Sequence, residues 1–173
     1  MSTATTRAVL ALGGNIGDVA SAFVQALGLL ATNPGVTLLA RSGVYRTAPW
    51  GVTDQPDFLN MAVLVETSLS ARALLDLALS IERASGRVRD LRWGPRSLDI
   101  DVITYGEATI DEPDLTIPHP RLTERAFVLV PLAEIAPDLT IGGSSVRDLL
   151  AKVEAGGVSP DGEAQAKLVA AGF

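Results

Sequence analysis

The order of elements along the chain, β-α-β-β-α-β with more helix beyond, predicts an α+β sandwich built on an antiparallel sheet. Three observations lead there. Short apolar, partly β-branched runs recur at residues 7–12, 36–46, 58–67 and 98–105. Two longer stretches between them open on helix-starting residues, Asp18 and Ser70. The chain, with 173 residues of which 47% are hydrophobic, is long enough to bury one proper core.

Each element has a local cause. The first strand (RAVLAL, 7–12) stops at Gly13, and Gly13, Gly14 and Gly17 read as a turn. Asp18 then caps a helix to about Thr32, because its carboxylate can accept the orphan amides of the first turn. Residues 36–46 form the second strand and 58–67 (FLNMAVLVET) the third. Between them, residues 47–57 (TAPWGVTDQPD) make a connection long enough to be functional rather than a simple turn. Ser70 caps a second helix to about Ala84, with Gly86 as its stop, and 98–105 is the fourth strand. This is the split βαβ order of a ferredoxin-like α/β sandwich, with one sheet face under two helices. A C-terminal helical extension follows: an apolar run at 127–135 and a helix from about Ser144. Residues 1–155 read as a single domain, and 156–173 as a loosely ordered tail or short helix.

Composition narrows the function. The absence of cysteine excludes disulfide stapling, thiolate metal sites and thiol catalysis, and a single histidine argues against a zinc centre built on paired imidazoles. The N-terminus lacks a basic segment followed by an apolar one, and no apolar run approaches the ~20 residues of a membrane span. The expectation is a cytoplasmic protein without a membrane partner. A formal charge of −6 argues against nucleic-acid binding, which needs excess cations along a phosphate backbone. The positive charge is nevertheless concentrated: five of the twelve arginines fall between Arg83 and Arg96.

That cluster adjoins two acids. An unpaired ion in a buried strand is expensive, so the aspartates of LDIDVI (98–103) point to a compensating cation. Alternation along a strand puts Asp99 and Asp101 on one face, about 7 Å apart at Cα. Carboxylates so spaced can share two Mg²⁺ ions roughly 4 Å apart, and Mg²⁺ takes a few carboxylates, phosphate oxygens and water rather than a full protein cage. The plainer reading, two solvent-facing acids, gives way because Arg87, Arg89, Arg92 and Arg96 sit on the Gly/Pro-bearing loop that leads into them. Guanidinium forks match phosphate oxygens, and cations on both sides of a polyphosphate suit phosphoryl transfer. GGNIGD, by contrast, fails as a phosphate loop, since the motif's lysine is missing and no lysine precedes Lys152. His119, followed by Arg121 and Arg125 in a helical turn, is either a capping or surface residue or a donor to phosphate or ribose. Trp50 and Trp93 lie in loops where a large ring needs a cover. Phe58 and Phe127 begin apolar segments and serve either as core or as stacking surfaces for a flat heterocycle.

Together, LALGGNIGD, VYRTAPWGVTDQPDFLNMAV, GRVRDLRWGPRSLDIDVITYG and IPHPRLTERAFVLVPLAEIAPDL resemble, in order, the 6-hydroxymethyl-7,8-dihydropterin pyrophosphokinases of folate biosynthesis. The resemblance implies transfer of pyrophosphate from ATP to the pterin hydroxymethyl group, giving AMP and the pterin diphosphate. It also implies two Mg²⁺ ions and three loops that close over the site, with Trp93 on a mobile catalytic loop. Residue by residue it implies that Asp99 and Asp101 hold the metals and that Arg87 and Arg96 meet the polyphosphate in catalysis. Glu82, Arg89, Arg92, His119 and Arg125 would contact ATP. Phe58 and Phe127 would sandwich the pterin, while Thr47, Asn60 and the backbone near Ala48 and Trp50 read its edge. The chain departs from the family in having Gly14 where serine is common and Thr123 where histidine is frequent. The partners implied are small molecules, and a monomer is expected.

Two other readings compete. A two-metal nucleotidyl transferase would need a third carboxylate and a templating groove, which an acidic chain does not favour. An RNA-binding or ligand-sensing module on the same fold should show adjacent aromatics on central strands and basic excess; neither is present.

Overall fold

A computed structural model describes residues 3–49, 53–85 and 97–173. Trp50 and the loop bearing Arg87, Arg89, Arg92, Trp93 and Arg96 lie outside the described residues. Strand β1 (Thr6–Gly14) alternates as a strand must, with Ala8, Leu10 and Leu12 on one face and Val9 and Ala11 on the other. It runs through Gly13 and Gly14, so the turn is left to Gly17 alone, at φ 70°. Helix α1 (Val19–Thr32) starts at Asp18, whose Oδ1 accepts from the Ser21 amide at 3.1 Å.

The expected second strand is two pieces, β2 (Val36–Arg41) and β3 (Tyr45–Thr47). Both pair with β4 (Phe58–Thr67), Arg41 opposite Val63 and Tyr45 opposite Asn60, so β3 is one residue out of step with β2. Ser42 causes the break. Fully buried, it donates its amide to Ala62 O at 2.9 Å and accepts the Ala62 amide on Oγ, also at 2.9 Å. A side chain thereby replaces one rung of the ladder, which leaves no buried backbone group unpaired where the chain steps aside.

Helix α2 (Ala71–Ala84) is capped by Ser70, whose Oγ accepts from the Ala73 amide at 3.1 Å. β5 (Asp99–Tyr105) then completes the sheet against β1. The order is β2 and β3 on β4, then β1, then β5, with every pair antiparallel. That is the ferredoxin-like arrangement. Phe23, Leu27 and Leu30 of α1 and Leu74, Ala78 and Ile81 of α2 pack on Leu10, Leu12, Val63 and Ile100. Each large side chain buried there contributes about 1.5–3 kcal/mol.

The second sheet face is covered as well. After a hairpin, β6 (Ile110–Glu112) and β7 (Leu115–Ile117), and a 3₁₀ turn at Leu122–Glu124 comes α3 (Ala126–Ile135). A second small hairpin, β8 (Thr140–Ile141) and β9 (Ser144–Ser145), leads into α4 (Val146–Leu150). Val128, Leu129, Leu132, Val146 and Leu149 of these helices close on Val9, Ala62 and Ile103. A helix apolar on most sides must be covered on most sides, and α3 is held down by Glu134, which accepts hydrogen bonds from Tyr45 Oη and the Gly43 amide. Burial, together with the Glu134 carboxylate, pushes the Tyr45 phenol up to about 12.

Of the two readings of residues 156–173, loose tail or short helix, the structure has the helix, preceded by a strand. β10 (Val158–Pro160) adds an edge strand to β3, Val158 opposite Thr47, and α5 (Gly162–Ala170) buries Ala164 and Leu168 in the core beneath α1. The turn-like composition misleads because an edge strand tolerates proline, having no outer partner for the missing N–H. Among the described residues no helix is long and apolar enough to cross a membrane.

Candidate active site

β1 ends, and β4 and β5 begin, at the same end of the sheet, just beyond the start of α3. A cleft of about 140 Å³ opens there. Its walls bring together eight residues singled out from the sequence: Thr47, Ala48, Phe58, Asn60, Asp99, Asp101, Arg125 and Phe127. Each arrives by register. Phe58 and Asn60 share a face of β4 with buried Ala62, and Asp99 and Asp101 share a face of β5 with Ile103, which carries α3. Phe127 enters from the first turn of α3, and the Arg125 guanidinium lies 5.6 Å from its ring centroid, a cation–π distance.

The cleft has two chemically different sides. On one, lined also by Phe58 and Phe127, Asn60 Nδ2 donates to Thr47 Oγ1 at 2.9 Å, a buried pair that fixes the amide's orientation. On the other stand the two carboxylates. Among the described residues no group of three or more carboxylates or imidazoles is assembled. Asp99 and Asp101 are therefore an oxygen-only pair, too few to cage an ion and suited to a hard cation that completes its shell with phosphate and water. That donor set fits Mg²⁺.

Gly13 separates the two sides and escaped the sequence reading, which made it a strand stop. It pairs with Asn60 on one flank and Asp99 on the other, at the floor of the cleft. A Cβ there would stand 3.1 Å from Asn60 Oδ1, tighter than ordinary contact. Because Thr47 holds the Asn60 amide, the side chain has little room to yield. Gly13→Ala is expected to leave the circular dichroism spectrum unchanged and to weaken binding on the Asn60 side several-fold. Unaltered affinity would show that the floor is not used.

Asn15 was also missed. It is 5% exposed, and its Nδ2 donates to Gln55 Oε1 and Pro56 O, both at 2.9 Å, fastening the long connection to the end of β1. Only the fold shows that these segments meet.

His119 and Glu82 lie outside the cleft lining. The His119 amide donates to Ile103 O at 3.0 Å, which sets the residue beside β5. Burial lowers the imidazole pKa to about 4, with Arg125 and then Arg121 pushing the same way and Asp99 opposing them. The ring is thus neutral near pH 7. Nδ1 accepts from the Arg121 amide at 3.3 Å, which leaves Nε2–H as a donor. With the folded pKa below the unfolded value of 6.5, this histidine's contribution to stability is complete above about pH 6.5 and is lost as pH falls toward 4. Since the chain has one histidine, its imidazole proton signal should titrate with a midpoint near 4; a midpoint close to 6.5 would contradict the buried, cation-flanked setting. Glu82 is 2% exposed on α2, where Oε1 accepts from the Ile100 amide at 2.7 Å. The structure thus sets it against the β5 backbone between the two acids. Arg87, Arg89, Arg92, Arg96 and Trp50 lie outside the described residues.

The chain is similar to known proteins over most of its length. A family model described as 7,8-dihydro-6-hydroxymethylpterin-pyrophosphokinase (HPPK) matches residues 9–137. A Methylorubrum extorquens protein named 2-amino-4-hydroxy-6-hydroxymethyldihydropteridine pyrophosphokinase is 56% identical over 153 residues, covering 88% of this chain and 97% of that one. Its namesake from Bacillus subtilis is 48% identical over 128 residues, covering 74% of this chain and 77% of that one. Among solved structures, wild-type HPPK-DHPS of Plasmodium falciparum with STZ-DHP superposes with a TM-score of 0.71 at 17% identity, over 86% of this chain and 43% of that one. This last likeness speaks for the fold alone, and the chain spans less than half of that longer protein. From the matched family model and the identity to full-length relatives, the chain belongs to the 7,8-dihydro-6-hydroxymethylpterin-pyrophosphokinase family, and is a pyrophosphokinase of folate biosynthesis that uses ATP as co-substrate.

Proposed function

We propose that the chain transfers the β,γ-pyrophosphoryl group of ATP to the hydroxymethyl oxygen of 6-hydroxymethyl-7,8-dihydropterin, and that the cleft described above is where it does so. The carrying observation is the division of that cleft into an aromatic, amide-bearing side and a two-carboxylate side, separated by the small residues Gly13 and Ala11 of β1. A flat bicyclic ring fits between Phe58 and Phe127, with Thr47, Asn60 and the Ala48 backbone at its hydrogen-bonding edge. Its hydroxymethyl arm then points across Gly13 toward Asp99 and Asp101.

In the reaction the hydroxyl oxygen bonds to the β-phosphorus, the bond from that phosphorus to the α,β-bridging oxygen breaks, and AMP leaves; the hydroxyl proton passes to solvent. Asp99 and Asp101 would hold two Mg²⁺ ions. When bound, such ions neutralise the polyphosphate and lower the pKa of a coordinated hydroxyl. The chain's own residues align and screen. The Phe58 and Phe127 faces fix the ring, so the acceptor oxygen is presented in one orientation. Arg125 on the near wall, and Arg87 and Arg96 with Arg89 and Arg92 on a loop closing over the site, would offset the charge that builds on the phosphates and on AMP. His119, neutral with Nε2–H as a donor, would give a hydrogen bond to ATP, while Glu82 would support the site by steadying β5.

Incubation with Mg-ATP and the reduced pterin tests the reading. AMP and pterin diphosphate should appear in equal amounts. ADP in place of AMP would mean single phosphoryl transfer and would overturn it.

A further inference from the structure

We propose that Arg46 and Asp161 are positioning residues for pterin binding, with the C-terminal β10–α5 segment bracing the outer wall of the cleft from behind. The inference rests on the reading of Thr47, Phe58 and Asn60 as the pterin side.

Of the segment 56–59 at that wall, Leu59 packs against the core. A groove of about 340 Å³ runs behind the wall, between the start of α1, the segment 56–59 and α5, with Asn15, Asp18, Arg46, Asp57, Asp161 and Lys167 among its lining residues. Where a groove leaves a segment partly uncovered, polar ties add to packing in setting its position. The ties converge on Arg46. Its Nε and Nη2 donate to Asp161 Oδ2 at 3.0 and 2.6 Å, and its Nη1 lies 3.9 Å from Asp57 Oδ2. Two N–H groups converging on one carboxylate oxygen make a charge-assisted contact.

Asp161 is a firm anchor. Its amide donates to Val44 O at 2.8 Å, its Oδ1 accepts from the Ala164 amide at 3.0 Å as the cap of α5, and its side chain is 10% exposed. The Ala164 amide and the Arg46 guanidinium hold its carboxyl below the usual range. α5 in turn is tied to the start of α1 by Lys167 Nζ to Asp18 Oδ2 at 3.0 Å. The residues that Arg46 joins flank the pterin side in sequence: Arg46 precedes Thr47, and Asp57 precedes Phe58. Thr47 lines the cleft, whereas Arg46, by strand alternation, lines the groove behind it. Arg46 therefore reaches the pterin only through its neighbours. Asp99 and Asp101 hang from β5, on the far side of β1, and do not depend on this brace.

The test is steady-state kinetics of the full chain carrying Arg46→Met, Asp161→Asn, both together, or Arg46→Lys. Asparagine caps a helix about as well as aspartate, so Asp161→Asn removes the charge and keeps the cap. Each single change should raise KM for the pterin by about 3–10-fold, with kcat and KM for ATP altered less than about 2-fold. The double variant should be no worse than the worse single, since the two act as one contact, and Arg46→Lys should fall between parent and Arg46→Met. An unchanged pterin KM, strictly additive effects, or an equal fall in kcat would each overturn the proposal. Should Arg46→Met melt below the assay temperature, Arg46→Lys and Asp161→Asn decide alone. Asn60→Ala runs alongside. If it raises pterin KM while the brace variants do not, only the brace fails; if it too has no effect, the pterin side itself has been misread.

Discussion

Asp99→Ala and Asp101→Ala should each lower turnover by at least about 100-fold, near 2.7 kcal/mol, in a protein that still folds. Both carboxylates face the cleft from one side of β5, while the residues between and beyond them, Ile100 and Val102, are buried in the core. Alanine at either position removes a proposed cation ligand and one of two neighbouring negative charges, and it opens no cavity in the core. The loss should therefore fall on chemistry and on metal-dependent ATP binding, with circular dichroism and melting temperature close to the parent's. Near-normal turnover in either folded variant would remove these residues from the metal site. Because the proposed donor set among the described residues is two carboxylates, loss of one should also raise the Mg²⁺ concentration needed for half-maximal activity.

The second large effect is expected from Arg96→Ala and Arg87→Ala. These arginines precede the acid strand in sequence and are proposed to meet the polyphosphate as charge redistributes toward AMP. A contact that strengthens in the transition state is read in kcat, and one made equally with bound ATP is read in Kd. Turnover should fall by more than about 10-fold, and by more than the ATP Kd rises. A large rise in Kd at unchanged kcat would show that they only anchor ground-state phosphate. Both are proposed to meet the same polyphosphate as the cations at the acid pair, so their effects should combine non-additively with Asp99→Ala.

Much of the molecule was legible before any coordinates. The caps at Asp18 and Ser70, the extent of 58–67, and the order β-α-β-β-α-β all follow from contacts within a few residues, which a sequence displays directly. So does the placing of Asp99 and Asp101 on one face, since alternation is a property of any strand. The motif GRVRDLRWGPRSLDIDVITYG carried the family, and its relatives confirm it.

What the sequence left open depends on partners far along the chain. Residues 36–46 read as one strand, yet Ser42 divides them, because its hydroxyl meets the Ala62 amide across the sheet. Residues 156–173 read as a loosely ordered tail or short helix, and only the fold shows that Val158 finds an edge beside Thr47 and that Leu168 of the helix finds the α1 core. Gly13 read as a stop, but pairing between Asn60 and Asp99 makes it the bare floor of the cleft. Local propensity and periodicity thus settled which elements form, in what order and with which face polar. Long-range register and burial decided how the eight scattered residues meet in one cleft and which segment stands behind its wall. The physical reason is that hydrogen-bond pairing and packing are bought only when distant segments close on one another, and a one-residue change of register moves every side chain to the opposite face.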